Sequence, residues 1–189
     1  MPDRRTEILD TALAVLAGQG MRGLTHRAVD RAAGLPAGST SYYFRTRDAL
    51  VTGCVRRLLE LDRVEVEAAA GPAGLGLETL ADLATEACML MVTTNAHRTL
   101  ARYELALHSI RTPAVRTEMV EAGDRLRGQI AGLLRVLGAT EPAAAAEELA
   151  AVMDGLVFTA LVRGPREPAQ LRRWMHPNVH RVLAARLRG

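Results

Sequence analysis

Apolar residues recur every three or four positions along most of the chain, which is the spacing of one face of an α-helix. The first such stripe joins Ile8, Ala12, Val15 and Leu16 and predicts a helix over residues 4–19. No stretch shows the alternation of polar and β-branched apolar residues that half-buried strands have. The pattern therefore predicts an all-α fold with about nine helices.

The predicted helices differ in length between the two ends of the chain. Two short helices, over residues 26–33 and 37–44, follow the first one. A longer helix then begins with Thr46 as its N-cap. Five further long helices cover residues 78–94, 96–110, 113–137, 142–162 and 168–187. A glycine- and proline-containing stretch at residues 71–76 breaks this series. We predict two domains, a small one over residues 1–48 and a larger helical one over residues 49–189.

A tight turn joins the two short helices. Thr25 is a good N-cap for the first of them, and Gly34 can adopt the left-handed conformation that ends a helix. Pro36 cannot continue that helix but suits the first turn of the next. Two short helices joined in this way form a helix-turn-helix, whose second helix enters the major groove of DNA.

The second short helix has a composition suited to close contact with DNA. Residues 38–42 are small or carry hydroxyl groups, so hydroxyls can reach phosphates or base edges. No acidic residue lies between residues 34 and 47. Residues 1–60 hold nine arginines against six acidic residues, and the rest of the chain holds fifteen of each. The whole formal net charge of +3 therefore lies at the N-terminal end, where phosphate binding needs it.

These residues resemble the N-terminal DNA-binding domain of the TetR (tetracycline repressor) family of transcriptional regulators. The resemblance covers roughly the first third of the chain. The positions that match the family pattern are Thr25, Ala33, Gly34, Leu35, Gly38, Tyr43, Phe44, Arg47, Asp48 and Leu50. The chain departs from the pattern at Thr40 and Ser41, where the family commonly has an apolar residue followed by tyrosine.

The resemblance implies a dimeric transcriptional regulator, most simply a repressor that a small-molecule effector releases from a palindromic operator in double-stranded DNA. It places the head of the second short helix against base edges or phosphates. The residues implied are Arg27, Ala37, Gly38, Ser39, Thr40 and Ser41. Three further residues, His26, Tyr42 and Arg47, are expected to contact phosphates.

The helix predicted over residues 142–162 has a broad apolar face that suits a homodimer interface. That face consists of Ala146, Leu149, Ala150, Met153, Leu156, Val157 and Ala160. A small domain seldom displays so wide an apolar face without a partner to cover it. The alternative is that this helix lies in the interior of the monomer.

The helix predicted over residues 96–110 places a carboxylate, Glu104, within a largely apolar stripe. A buried charge needs a partner. Glu104 either anchors a ligand in a pocket or forms an internal pair with His108 or Arg111, and the sequence leaves both open. The residues expected to line a pocket with it are Met89, Met91, Val92, Tyr103, Leu107, His108, Phe158 and Trp174.

Other classes of protein find little support. No stretch has the roughly 18 apolar residues of a membrane span, and the N-terminus lacks the apolar region of a signal peptide, so we expect a cytoplasmic protein. Cys54 and Cys88 form no metal-binding motif and are expected to be core thiols. The absence of nucleophile and phosphate-loop motifs disfavours a small helical enzyme, and we expect no catalytic residue, metal or cofactor. A non-specific architectural DNA-binding protein is the remaining alternative, but the few aromatic residues do not form stacking platforms.

Overall fold

The computed structural model describes residues 3–69, 76–164 and 167–187. Within these ranges the chain forms nine α-helices and no strand, so the predicted all-α fold is confirmed. The helices are α1 Arg4–Gly23, α2 His26–Ala32, α3 Ser39–Tyr43, α4 Arg47–Ala69, α5 Leu77–Val92, α6 Ala96–Ser109, α7 Pro113–Val136, α8 Pro142–Arg163 and α9 Pro168–Leu187.

Glycines account for two of the helix ends that differ from the sequence prediction. Gly20 has φ of 63° and kinks α1 instead of ending it, so α1 continues for a further turn to Gly23. Gly38 has φ of 93° and precedes the first residue of α3, so α3 begins at Ser39 rather than at Ala37. The break predicted at residues 71–76 lies, apart from Gly76, outside the described residues.

The chain divides into two compact units. The first contains Met1–Asp62 and His97–Gly123, and the second contains Arg63–Ala96 and Asp124–Gly189. Almost all of α6 therefore belongs to the same unit as the three N-terminal helices. The predicted boundary at residue 48 separates two functions rather than two packed units, and it stays a prediction.

The core of the first unit forms beneath the helix-turn-helix. The predicted stripe of α1 is buried, and it packs with apolar residues of α2, α4 and α6 and with Phe44 at the end of α3. The buried residues that contribute most volume to this core are Phe44, Ile8, Leu13, Leu16, Leu24, Leu50 and Leu105. Cys54 is also buried there, and burial raises the pKa of its thiol to about 12. Burial also raises the pKa of the Cys88 thiol, in the second unit, to about 12, so both cysteines are core thiols as predicted.

The second unit is built around α5, α8 and α9, which pack against one another. A row of acidic residues on α5 meets a row of basic residues on α9. Glu78 accepts a hydrogen bond from His180 (2.9 Å), and Asp82 accepts one from Arg172 (2.6 Å). With Glu86 and His176, which also pair across the two helices, the acidic and the basic residues each recur every four positions, and this favours one register between α5 and α9. Because these side chains are partly exposed, each pair contributes at most about 1 kcal/mol.

Most of the apolar face of α8 is covered within the second unit. Ala146, Leu149, Leu156 and Val157, which we predicted to form a dimer interface, are buried against the chain's own helices. That prediction is wrong for these four residues, and the alternative of an interior face is correct for them. The three other predicted interface residues, Ala150, Met153 and Ala160, are half-buried.

No helix in the described parts of the chain combines the length and the apolar character that crossing a bilayer requires.

Gly53 of α4 packs closely against buried side chains of the first unit. A Cβ atom at this position would lie 2.8 Å from Phe44 Cε1 and 2.9 Å from Leu9 Cδ2, and both side chains are buried. We expect Gly53→Ala to lower the free energy of unfolding by about 1–3 kcal/mol through overpacking. Thermal and urea unfolding, followed by circular dichroism, would measure the change.

Gly18 in α1 provides the matched control, because nothing lies within 4 Å of a Cβ atom there. Gly18→Ala should raise the free energy of unfolding by up to about 1 kcal/mol through helix propensity. An equal effect of the two substitutions would show that α4 does not pack closely at Gly53.

Candidate nucleic-acid interface

The turn between α2 and α3 has the predicted local structure. The Thr25 hydroxyl accepts a hydrogen bond from the Ala28 N–H (3.1 Å), which confirms it as the N-cap of α2. Gly34 has φ of 65°, the left-handed conformation predicted for it. The Leu35 N–H then donates to the carbonyl of Asp30 (2.9 Å), and the chain turns toward α3.

The carboxylate of Asp30, on α2, caps the start of α3. It accepts hydrogen bonds from the Gly38 N–H (2.8 Å), the Thr40 N–H (2.7 Å) and the Thr40 hydroxyl (2.5 Å). Asp30 itself is only 3% exposed. Two of the backbone N–H groups that a helix start leaves without a partner are thereby satisfied by a side chain from the neighbouring helix.

These hydrogen bonds keep the Asp30 carboxyl charged. Burial acts to raise its pKa, but the hydrogen bonds from the Thr40 hydroxyl, the Thr40 N–H and the Gly38 N–H outweigh burial, and the nearby His26 acts in the same direction. The net effect lowers the pKa of Asp30 below its usual 3.8. The buried carboxylate is therefore a stable anion whose charge is directed at the start of α3.

His26 holds the other end of α3. Its Nε2 atom lies 2.7 Å from the carbonyl oxygen of Phe44, to which it donates. His26 and Asp30 stand one turn apart on α2, so together they bind both ends of α3.

Three residues that we expected to contact DNA form hydrogen bonds within the protein. Thr40 is 0% exposed, and its hydroxyl donates to Asp30, so the prediction that it contacts DNA is wrong. The Ser39 hydroxyl donates to the carbonyl of Pro36 (2.7 Å). His26 is partly buried with Nε2 bound to Phe44, which leaves only Nδ1 for the expected phosphate contact.

Arg47, which we expected to contact phosphate, donates to backbone carbonyls of the protein. Its Nη2 donates to the carbonyl of Met21, and its Nε lies 3.3 Å from the carbonyl of Leu24. Both carbonyls are at the end of α1, where helices leave acceptors unsatisfied. Arg47 therefore joins the start of α4 to the end of α1, and its expected phosphate contact stays a prediction.

The remaining predicted contact residues are exposed. Arg27, Ala37, Gly38, Ser41 and Tyr42 all lie at the surface, and Tyr42 is 75% exposed. The ring of Tyr42 packs edge-on against that of Tyr43, with 5.2 Å between their centroids. These exposed residues offer the hydroxyls of Ser41 and Tyr42 and the guanidinium of Arg27 to solvent. We refer to Arg27, Ala37, Gly38, Ser41 and Tyr42 as the reading face.

Glu104 binds the backbone of α1, a contact that neither of our two interpretations includes. Its Oε2 atom accepts a hydrogen bond from the Met21 N–H (3.0 Å), directly after the kink at Gly20. His108 Nε2 pairs with the Thr112 hydroxyl (3.2 Å), and Arg111 is exposed. The expected Glu–His or Glu–Arg pair is therefore wrong, and one oxygen of the proposed ligand anchor is already engaged by the backbone of α1.

The other predicted pocket residues fall in both units. Met89, Met91, Val92, Phe158 and Trp174 belong to the second unit, whereas Tyr103, Leu107 and His108 belong to the first. Met89 is buried, while Leu107 and Phe158 are 60% and 55% exposed. The pocket stays a prediction.

In the described ranges no three His, Cys, Asp or Glu side chains converge as a metal site requires.

Comparison with known proteins places both parts of the chain in one family. Residues 8–54 match "Bacterial regulatory proteins, tetR family", and residues 75–187 match "Tetracyclin repressor-like, C-terminal domain". A regulator from Rhizobium meliloti (strain 1021), "HTH-type transcriptional regulator BetI", is 30% identical over 158 residues, which span 82% of this chain and 76% of the relative.

Solved structures agree with these matches. A TetR-family member from Streptomyces coelicolor A3 (SCO1917) is 29% identical, with a TM-score of 0.67, and the match covers 94% of this chain and 98% of that one. The multidrug binding protein EbrR, solved in complex with imidazole, is also 29% identical, with a TM-score of 0.65 and coverage of 94% and 96%. EbrR has also been solved with proflavin and with ethidium.

The fold, the helix-turn-helix and these matches define a DNA-binding transcriptional regulator rather than an enzyme. The chain belongs to the TetR family.

The contact between Glu104 and Met21 can be tested by substitution. Glu104→Ala leaves the Met21 N–H without its partner and should lower the free energy of unfolding by about 1–3 kcal/mol. Glu104→Gln retains an acceptor oxygen and should stay much closer to wild type. Urea unfolding and hydrogen exchange of the Met21 amide would measure both effects. Equal exchange rates in wild type and Glu104→Ala would contradict the assigned contact.

Asp30 predicts a specific dependence of stability on pH. Because its folded-state pKa lies below the usual 3.8, the charged carboxyl stabilises the fold above that pH. This contribution is lost as the pH falls through the folded-state pKa. Asp30→Asn should therefore be less stable than wild type at pH 7, by a difference that shrinks below about pH 4. Urea unfolding between pH 3 and 7 would show this, and a difference independent of pH would contradict it.

Proposed function

We propose that the chain acts as a homodimer in which each protomer inserts α3 into one major groove of a palindromic operator, and that a small effector releases it. The observation that carries the proposal is the reading face, an exposed set of residues on α3, in the turn before it and on α2. Side chains of α2 bind both ends of α3. Two-fold symmetry lets two short helices read two half-sites about one turn of DNA apart.

The charge distribution supports binding through this end of the chain. Between residues 22 and 57 there are seven arginines and two acidic residues, Asp30 and Asp48. Asp30 is buried, so its negative charge is turned inward, toward the backbone of α3. Arg27, Arg31 and Arg45 are exposed in this part of the chain and can neutralise phosphates.

Selection of binding sites from random duplex DNA tests the proposal. We predict enrichment of one sequence with two inverted half-sites. Binding that is equally strong for all sequences and disappears with added salt would favour a non-specific architectural protein instead.

The homodimer interface that we propose uses the outward side of α8 rather than its buried side. Ala151, Gly155, Phe158 and Val162 are exposed and recur at alternating spacings of four and three residues, which is the seam that paired helices use. Of the interface residues predicted from sequence, Ala150, Met153 and Ala160 are half-buried and can flank this seam.

Membership of the TetR family also supports an effector pocket and the release of the protein from DNA when an effector binds. The second unit supplies Met89, Met91 and Val92 on α5 and Trp174 on α9, an apolar and aromatic set suited to an organic ligand. Because EbrR has been solved with ethidium and proflavin, these two compounds are suitable first probes. An effector that binds better when the two reading faces are wrongly spaced shifts the population away from DNA. The regulator then acts as a repressor in the cytoplasm.

Arg27 gives a prediction about phosphate or base contact. Arg27→Ala should lower the slope of log affinity against log salt concentration by about one unit if the guanidinium binds a phosphate. Arg135→Ala removes the same charge from an exposed position of α7 outside the helix-turn-helix and is the control. Fluorescence anisotropy with the selected duplex at four salt concentrations would measure both. Identical slopes for the two variants would remove Arg27 from the reading face.

The proposed interface on α8 makes a prediction about assembly. Phe158→Glu places a charge in the middle of the seam and should shift the protein from dimer to monomer in analytical ultracentrifugation. Val136→Glu changes an apolar residue of α7 that is even more exposed and should leave the dimer intact. A dimer that survives Phe158→Glu with undiminished affinity would show that the protomers meet elsewhere.

A further inference from the structure

The length of α3 makes its orientation depend on residues outside it. Five residues form less than one and a half turns, so nearly every backbone group of α3 belongs to a helix end. Helices this short are not stable alone in water. The direction in which α3 projects must therefore be set by its neighbours, and the side chains that bind its ends come from α2.

Asp30 and Thr40 make the most specific of these contacts. The Asp30 carboxylate takes three hydrogen bonds from two residues, and Thr40 supplies two of them through its N–H and its hydroxyl. Both residues are buried, so neither has a surface to offer DNA. Thr40 also occupies a position at which the family commonly has an apolar residue, so the contact distinguishes this chain from the usual pattern.

We propose that Asp30 and Thr40 are positioning residues, which fix α3 at the angle that base reading requires without touching DNA themselves. This proposal rests on the proposed function. Base edges are read by hydrogen bonds of exact geometry, whereas phosphates are bound by long side chains over a broad range of positions. A small change in the direction of α3 therefore lowers affinity for the operator and leaves affinity for unrelated DNA unchanged.

Thr40→Val tests the proposal with little change in shape, because valine matches the branching of threonine but cannot donate to Asp30. Losing a hydrogen bond to a charged acceptor should weaken binding to the selected operator about tenfold. Affinity for a scrambled duplex of equal length, and the salt dependence of that affinity, should not change. Thr40→Ser keeps the hydroxyl and should stay within about twofold of wild type.

Asp30→Asn provides a second variant at the acceptor. It should lower the ratio of operator to scrambled-duplex affinity by at least as much as Thr40→Val, and it should speed the hydrogen exchange of the Gly38 and Thr40 amides. In the double variant, Thr40→Val should add little, because the hydroxyl no longer faces a carboxylate. Circular dichroism at the assay temperature identifies any variant that has unfolded, and Thr40→Val alone then decides the test.

The outcomes separate the two proposals. If wild type selects a sequence and Thr40→Val discriminates equally well, the positioning role is wrong while the proposed function stands. If Thr40→Val and Asp30→Asn weaken operator and scrambled DNA by the same factor, the contact only stabilises the fold, which also overturns the positioning role. If wild type itself selects no sequence, the proposed function fails, and the positioning role fails with it.

Discussion

The carboxylate of Asp30 is the constraint on which the DNA-binding end of this molecule depends. It is buried and charged, and it is satisfied by two N–H groups and one hydroxyl at the start of α3. An unpaired buried charge would cost several kcal/mol, so α2 and α3 cannot separate or rotate against each other without losing this compensation. The Thr40 side chain of α3 is bound by α2, whereas Ser41 and Tyr42 on the same helix are exposed.

Glu104 solves a similar problem at the end of α1. Each of these two carboxylates accepts a backbone N–H where a glycine has positive φ: Asp30 accepts from Gly38 itself, and Glu104 accepts from Met21, which directly follows Gly20. At both points the chain changes direction and a new helical segment needs a partner for its first N–H groups. Arg47 completes the arrangement from the opposite side, since it binds the carbonyls of Met21 and Leu24. The end of α1 is thus held by side chains from α4 and α6.

Periodicity and local chemistry were sufficient for much of the fold. The apolar stripe of α1, the N-cap at Thr25 and the left-handed Gly34 depend on residues within one or two turns, and the structure confirms all three. The N-cap of α4 at Thr46 is of the same kind, with its hydroxyl 3.1 Å from the Ala49 nitrogen.

The errors have a common physical origin, because they concern partners that periodicity does not identify. Glu104 binds a backbone group 83 positions away, and Thr40 binds an aspartate on another helix. The sequence did carry a signal for the second contact: an acidic residue within a basic stretch and a hydroxyl in place of an apolar residue, ten positions apart. On α8, an apolar face alone could not show whether the chain's own helices or a second copy covers it.

A crystal structure of the protein bound to its selected duplex tests the central claim most directly. We predict that α3 lies in the major groove of each half-site, with Ser41 and Tyr42 against the DNA. The Thr40 hydroxyl should remain bonded to Asp30 on the side away from the DNA. A complex in which Thr40 turns outward to a base or phosphate, or in which another surface of the chain meets the DNA, would contradict it.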